Sequence, residues 1–125
     1  MATGWVRSYY DDVDHMRMEE FLAWHTADVT VRFGNNPPAH GTAEVRGAIG
    51  HFWEMIGGLK HNLANVWHTA DGTAVVEADI DYTRKDGAVV TTPCVTLLHR
   101  AGDAEPVRID HVRIFIDVTP VFAPS

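Results

Sequence analysis

The second half of the chain alternates apolar and polar residues in short segments, which predicts a series of β-strands. Across residues 59–120, β-branched and aromatic residues fill these segments. Asp71-Gly72 and Asp86-Gly87 separate them and suit tight hairpin turns, because glycine adopts positive φ freely and aspartate tolerates it. A third break, at residues 101–106, leads into the last segment. The pattern therefore predicts a four-strand antiparallel meander.

The first half carries apolar residues at helical spacing, interrupted by one strand-like segment. Residues 5–12 and 16–24 predict two helices, and Asp14 is a suitable N-cap for the second. Residues 29–33 predict a strand that ends at a Pro-Pro turn. A third helix is predicted after Thr42, its expected N-cap. Helices that precede a sheet must cover one of its faces, so we expect an α+β fold in a single domain of residues 1–125.

Composition narrows the function classes. The 125 residues carry a net charge of −7, which argues against nucleic acid and anionic membranes as partners. No apolar run approaches the roughly 20 residues of a membrane span, and the N-terminus lacks a signal-peptide layout, so we expect a cytoplasmic protein. Cys94, the one cysteine, fits a reducing compartment and is expected to be a buried, inert thiol. The eight histidines show no zinc-helix spacing, so we predict no metal; His61 and His111, each within a predicted strand, are instead candidate acid/base residues. We predict no cofactor.

Acidic residues in two predicted strands are the first candidates for chemistry. Asp117 ends a strand whose even positions are apolar, so it either faces solvent beside Arg113 or lies at a pocket mouth. Glu77, Asp79 and Asp81 alternate with apolar residues, which is typical of a strand with one wet face. If such acids were buried close together, their repulsion would raise the pKa of one of them. Both the solvated and the functional interpretation stay open.

The predicted element order and two segments resemble a known fold. Residues 33–41 read Phe-Gly-Asn-Asn-Pro-Pro-Ala-His-Gly, and residues 113–120 read Arg-Ile-Phe-Ile-Asp-Val-Thr-Pro. Together with the helix-helix-strand-helix-meander order, they resemble the NTF2-like (cystatin-like) superfamily, in particular its SnoaL-like branch. The resemblance implies a cone of three N-terminal helices packed on a curved antiparallel sheet, with a pocket between them. It also implies a homodimer formed through the convex sheet face.

Two relatives within that superfamily can be compared at individual positions. The oxyanion tyrosine of ketosteroid isomerase falls on Tyr9, but its catalytic base falls on Phe33, so we reject that mechanism. Limonene epoxide hydrolase resembles the chain at Asn35, and its two catalytic aspartates fall near Asp79 and Asp117. Its tyrosine is Phe33 here, and its bridging arginine is a glutamate, so the epoxide-hydrolase site is incomplete.

SnoaL-type polyketide cyclases resemble the chain at the last strand, where an aspartate near Asp117 acts as acid and base. The resemblance implies a cofactor-independent cyclase or isomerase that acts through Asp117 with Tyr9 on a hydrophobic, oxygenated substrate such as a polyketide or terpenoid. Asp79 is the further catalytic candidate, for epoxide opening together with Asp117 and Asn35. Epoxide hydrolysis and a non-catalytic ligand-binding domain remain alternatives. We predict that seven residues contact the substrate: Asn35, Phe33, Trp24, Trp53, Trp67, His61 and His111.

Overall fold

A computed structural model describes residues 4–124 of the chain. The elements in chain order are α1 (Gly4–Asp14), α2 (Met18–Ala23), β1 (His25–Phe33), β2 (Ala39–His40), α3 (Gly41–Glu54), β3 (Gly58–His68), β4 (Thr73–Thr83), β5 (Val89–Arg100), β6 (Ile109–Ile116) and α4 (Thr119–Phe122). The order predicted from the sequence is confirmed, and the short β2 and α4 are added to it.

The strands form one six-stranded sheet in the order β2-β1-β6-β5-β4-β3. Strands β3 to β6 make the predicted antiparallel meander. The predicted curved antiparallel sheet is mixed at one pair of strands, because β1 pairs with β6 in parallel. Helix α3 carries the chain from β1 to the far edge of the sheet, and the meander then returns strand by strand until β6 lies beside β1. The mixed sheet follows from that route.

Both predicted hairpins are present. Gly72 and Gly87 adopt φ values of 88° and 89°, which residues with a Cβ rarely adopt. The backbone N–H of Thr69 donates to the carbonyl of Thr73 at 2.9 Å and closes the first loop. Edge strand β3 also carries a bulge between Leu63 and Asn65, which shifts its alternation of inward and outward side chains.

The inner face of the sheet packs under the helices. On β4, Val76, Ile80 and Tyr82 are buried, whereas Glu77 and Asp79 point to the opposite, exposed face. Helices α1, α2 and α3 supply the other half of the core through buried aromatic and branched residues. The curved sheet and its helical cover therefore enclose one continuous hydrophobic core.

Two predicted helix starts need correction. Asp14 does not cap α2, because that helix begins after Arg17 without a side-chain cap, and the Asp14 carboxylate binds His61 instead. Helix α3 begins directly after β2, at Gly41 rather than beyond Thr42. None of the helices within residues 4–124 is long and apolar enough to cross a membrane.

Neighbouring leucines on β5 test which face of the sheet carries the core. Leu98 is fully buried, whereas Leu97 is half-buried on the outer face. We expect Leu98→Ala to lower the free energy of unfolding by about 2–5 kcal/mol, because it leaves a cavity in the core. Leu97→Ala should cost less than about 1 kcal/mol. Chemical denaturation of both variants measures the difference, and equal losses would contradict the assignment of faces.

Candidate functional site

An apolar cavity lies between the helices and the inner face of the sheet. Its volume is about 50 Å³, and its wall is built mainly of aromatic and branched side chains from α1, α2, α3 and the strands β1, β3, β4, β5 and β6. Five side chains in that wall carry a hydroxyl or imidazole group: Tyr9 and Tyr10 from α1, His61 from β3, Tyr82 from β4 and Thr96 from β5. These polar groups, set in an apolar surface, are where chemistry or specific recognition can occur.

His61 is held in the cavity wall by Asp14. The Asp14 Oδ1 atom lies 2.6 Å from His61 Nδ1, and Asp14 Oδ2 accepts a hydrogen bond of 2.8 Å from the His61 backbone N–H. The His61 side chain is only 8% exposed, and the Asp14 side chain is 17% exposed. In the neutral imidazole, this carboxylate places the proton on Nδ1 and leaves the Nε2 lone pair free. No residue among 4–124 hydrogen-bonds to Nε2, so this atom is open to a ligand.

Local sequence explains why the pair forms. His61 stands in the inward series of β3, between Leu59 and Leu63. Asp14 follows Tyr10 by four residues, so both lie on the same side of α1. Helix α1 packs on the sheet with that side inward, which brings the carboxylate to the histidine.

Tyr10 adds a hydrogen-bond donor beside His61. The two rings stack with centroids 4.4 Å apart, and the buried Tyr10 hydroxyl has no hydrogen-bond partner among the described residues. Burial raises the pKa of Tyr10 well above its usual value, and the nearby Thr96 hydroxyl offsets only part of the rise. Thr96 does not reach bonding geometry with Tyr10 and instead lies 3.6 Å from the Sγ atom of Cys94. Tyr10 therefore keeps its proton and can offer it to an oxygen in the cavity.

Tyr9 also lines the cavity, but its hydroxyl is engaged elsewhere. It lies 2.9 Å from Nε2 of the buried His25. Burial lowers the pKa of His25 to about 4, although the carbonyls of Leu22 and Phe21 near its ring oppose the shift. The imidazole is thus neutral, and its buried Nδ1 atom lies near the carbonyls without reaching bonding geometry with either of them. With the proton on Nδ1, on the side of those carbonyls, the Tyr9 hydroxyl donates to Nε2. Tyr9 offers the cavity its ring rather than a free donor.

The two predicted catalytic aspartates do not enter the cavity. Asp117 is exposed after β6, where its Oδ1 atom accepts a 2.9 Å hydrogen bond from the backbone N–H of Thr119. Hydrogen bonds from Thr119 lower the pKa of Asp117, whereas an acid in an apolar site has a raised pKa. Asp79 is exposed because the inward positions of β4 belong to its neighbours Ala78 and Ile80. Of the three predicted catalytic residues, only Tyr9 lines the cavity.

The other predicted contacts divide into two groups. Phe33, Trp53 and His61 line the cavity, as Tyr9 does. Four residues lie outside it. Asn35 is exposed in the turn after β1, and His111 is exposed on the outer face of β6. Trp24 lies beside a surface cleft and donates from Nε1 to Asp12 at 2.8 Å, and Trp67 is 52% exposed.

The residues that sequence reasoning missed are Asp14 and Tyr10. Asp14 was assigned to capping, and the helical spacing from Tyr10 was the signal that both could face the sheet. Thr96 was hidden in a strand without any distinguishing motif. Within residues 4–124, no group of three or more His, Cys, Asp or Glu side chains is arranged to hold a metal ion.

Comparison with known families decides where the chain belongs. Residues 6–108 match the SnoaL-like domain. The chain is a member of the SnoaL-like domain family. A search of curated proteins finds no match.

Solved structures show the same fold at low sequence identity. An NTF2-like protein of unknown function from Burkholderia pseudomallei K96243 is 19% identical, with a TM-score of 0.79 over 94% of this chain and 95% of that one. A protein with a ketosteroid isomerase-like fold from Catenulispora acidiphila, solved with trimethylamine, is 15% identical, with a TM-score of 0.78 over 93% and 87%. A protein from Jannaschia sp. CCS1, whose name proposes a SnoaL-like polyketide cyclase, is 20% identical, with a TM-score of 0.69 over 86% and 80%. These neighbours confirm the predicted NTF2-like fold.

The buried His25 makes a specific pH dependence of stability testable. A histidine held neutral in the folded state contributes stability above its ordinary pKa of 6.5, and that stability is lost as the pH falls toward its folded pKa of about 4. We expect His25 to account for a loss of up to about 3 kcal/mol across this window. Denaturation of the wild type and of a Tyr9→Phe/His25→Leu variant between pH 7 and 4 isolates this loss, because the remaining carboxylates titrate in both proteins. Parallel stability curves would contradict the buried, neutral His25.

Proposed function

We propose that this SnoaL-like chain is a cofactor-independent enzyme that performs acid/base cyclisation or isomerisation of a small, hydrophobic, oxygenated molecule. The observation that carries the proposal is His61, held by Asp14 at 2.6 Å, next to the Tyr10 hydroxyl, which has no partner within residues 4–124, in one apolar cavity wall. A base and a donor, both preset and partly shielded from water, form the minimum set for proton transfer next to a carbonyl.

The reaction begins with proton removal. The Nε2 lone pair of His61 takes a proton from the carbon next to a substrate carbonyl, and Asp14 stabilises the imidazolium that forms. The electron pair of the broken C–H bond moves to the carbonyl oxygen and gives an enolate. Tyr10 donates a hydrogen bond to that oxygen, where the negative charge develops.

The enolate then has two outcomes. In isomerisation, the His61 imidazolium returns its proton to a different carbon, so the double bond moves. In cyclisation, the enolate carbon attacks a second carbonyl of the same substrate, and the imidazolium proton goes to the new alkoxide. Both outcomes regenerate neutral His61 and need no oxidant, reductant or co-reactant.

The low dielectric of the cavity supports this chemistry. Few polar groups surround the reacting atoms, so a charge-assisted hydrogen bond contributes more there than in water. The polyketide cyclase name of the Jannaschia protein supports a polyketide-like substrate at the level of the fold. Epoxide hydrolysis has less support, because Asn35, Asp79 and Asp117 are all exposed rather than gathered around one space.

Deuterium uptake tests the proposed role of His61. The probes are 2-tetralone and ethyl acetoacetate in D₂O, followed by mass spectrometry, because each carries an acidic C–H next to a carbonyl. We expect His61→Asn to slow catalysed uptake by about 10²–10⁴-fold, the usual contribution of a general base. Tyr10→Phe should slow it as well, by removing the hydrogen bond to the enolate oxygen.

A matched histidine provides the control. His111→Asn alters an exposed residue on the outer face of β6 and should leave uptake unchanged. Equal uptake in the wild type and His61→Asn would contradict the proposal. Uptake at the buffer rate with both probes, combined with measurable binding of them, would favour the alternative of a non-catalytic ligand-binding domain.

We further propose that the chain forms a homodimer through the outer sheet face. Four of its exposed apolar residues support this face: Trp67, Val89, Val95 and Phe115 are 52%, 62%, 36% and 47% exposed. Val95 and Phe115 are paired neighbours on β5 and β6, so part of this apolar area is continuous. An exposed apolar surface of this kind is typical of interaction sites.

Val95→Glu tests the dimer. The new carboxylate would lie opposite Glu77 in the β4–β5 register, which adds like-charge repulsion to the lost apolar contact. We expect sedimentation equilibrium to show a wild-type dimer and a monomeric variant. Ala43→Glu on α3, away from the outer face of the sheet, should leave the dimer intact. A monomeric wild type would contradict the proposal.

A further inference from the structure

A second space lies next to the cavity. It is an open groove of about 220 Å³ between α3, the turn after β1 and the C-terminal α4. Its wall is mostly apolar and includes Ala48 of α3, Met55 directly after that helix, and Phe122 of α4. Met55 and Phe122 are 43% and 40% exposed, and exposed apolar side chains that gather around one groove are typical of a binding site.

The groove and the cavity share part of their walls. Val31, Phe33, Ile49 and Phe52 line both spaces. The rings of Phe33 and Phe52 pack with centroids 4.8 Å apart, and Phe52 also contacts Phe122 at 6.0 Å and Tyr82 at 5.7 Å. Phe33 and Phe52 are only half-buried. This aromatic pair therefore forms a thin partition between the inner cavity and the outer groove.

The two volumes approach the size of a small-molecule pocket only when they are added together. Pockets for small molecules usually measure roughly 300–1,000 Å³. The cavity beside His61 has about 50 Å³ and the groove about 220 Å³, so neither reaches that range alone. Joined by rotation of the Phe33 and Phe52 side chains, the two spaces come close to its lower end. A half-buried phenylalanine can make such a rotation more easily than one that is fixed in the core.

We infer that the substrate is an elongated molecule whose oxygen-bearing end lies against His61 and Tyr10 and whose apolar end passes between Phe33 and Phe52 into the groove. The inference rests on the proposed function for the reacting end, and it adds a separate subsite for an alkyl or aryl extension. The groove wall contains one histidine and one asparagine among mainly apolar side chains, so an apolar extension fits it better than a charged one. The length of this extension determines which substrates bind well.

Phenol and its 4-alkyl derivatives are suitable probes. The phenol oxygen resembles an enol, which can donate to His61 Nε2 and accept from Tyr10, and the ring cannot react further. Phenol, 4-ethylphenol and 4-butylphenol would be titrated by calorimetry. We expect affinity to rise with chain length by up to about fourfold for each methylene that enters the groove.

Two substitutions on α3 locate the extension. Ala48→Phe fills the groove. The gain in affinity between phenol and 4-butylphenol should therefore fall by at least about tenfold, while the affinity for phenol itself should not change. Ala43→Phe places the same side chain on the same helix outside both spaces and should keep the whole gain. Both alanines are exposed, so each variant should fold.

The outcomes separate this inference from the proposed catalysis. Affinity in the wild type that does not rise with chain length, or a gain that survives Ala48→Phe, would overturn the subsite. His61→Asn should keep the chain-length gain while losing deuterium uptake, because the groove lies away from the base. A chain-length gain in a protein without uptake activity would support the subsite and count only against the catalytic proposal.

Discussion

The Asp14 carboxylate is the interaction on which the arrangement of the site depends. One side chain accepts from both the backbone and the imidazole of His61, and it thereby ties the end of α1 to edge strand β3. Hydrogen bonds to a charged group contribute about 1.5–3 kcal/mol each to stability, more than the neutral kind. Tyr10 lies one turn before Asp14 on the same side of α1, so the helix that holds the base also carries the neighbouring donor.

Adjacent tyrosines on α1 show how burial divides roles between similar residues. Tyr9 meets a histidine that burial keeps neutral, so its proton is used within the protein. Tyr10 meets an aromatic face of His61 and the hydroxyl of Thr96 without a completed hydrogen bond. A buried polar atom without a partner destabilises the folded chain, and a ligand oxygen in the cavity would give the Tyr10 hydroxyl the acceptor that it lacks among residues 4–124. The resemblance to ketosteroid isomerase pointed to Tyr9, but the environment favours its neighbour.

Local features of the sequence predicted most of the fold. The Asp-Gly turns, the alternation on β4 and the helical stripes each depend on residues close together in the chain, so they were assigned correctly. The parallel pairing of β1 with β6 and the Asp14–His61 contact join residues far apart in sequence, and no local pattern carries that information. Asp14 was misassigned because a helix cap explains such a residue equally well from its neighbours alone. Asp117 was chosen from family likeness, whereas its backbone partner two residues later explains its position.

The bulge in β3 has a consequence for the open edge of the sheet. An eleven-residue edge strand is a template on which another chain could continue the ladder of hydrogen bonds. The bulge inserts one extra residue between Leu63 and Asn65, so the free N–H and C=O groups are no longer evenly spaced half-way along that edge. A second strand could match only part of it before falling out of register. The bulge thus disfavours the edge-to-edge pairing of strands that leads to fibres. Contact between sheet faces is less restricted by it.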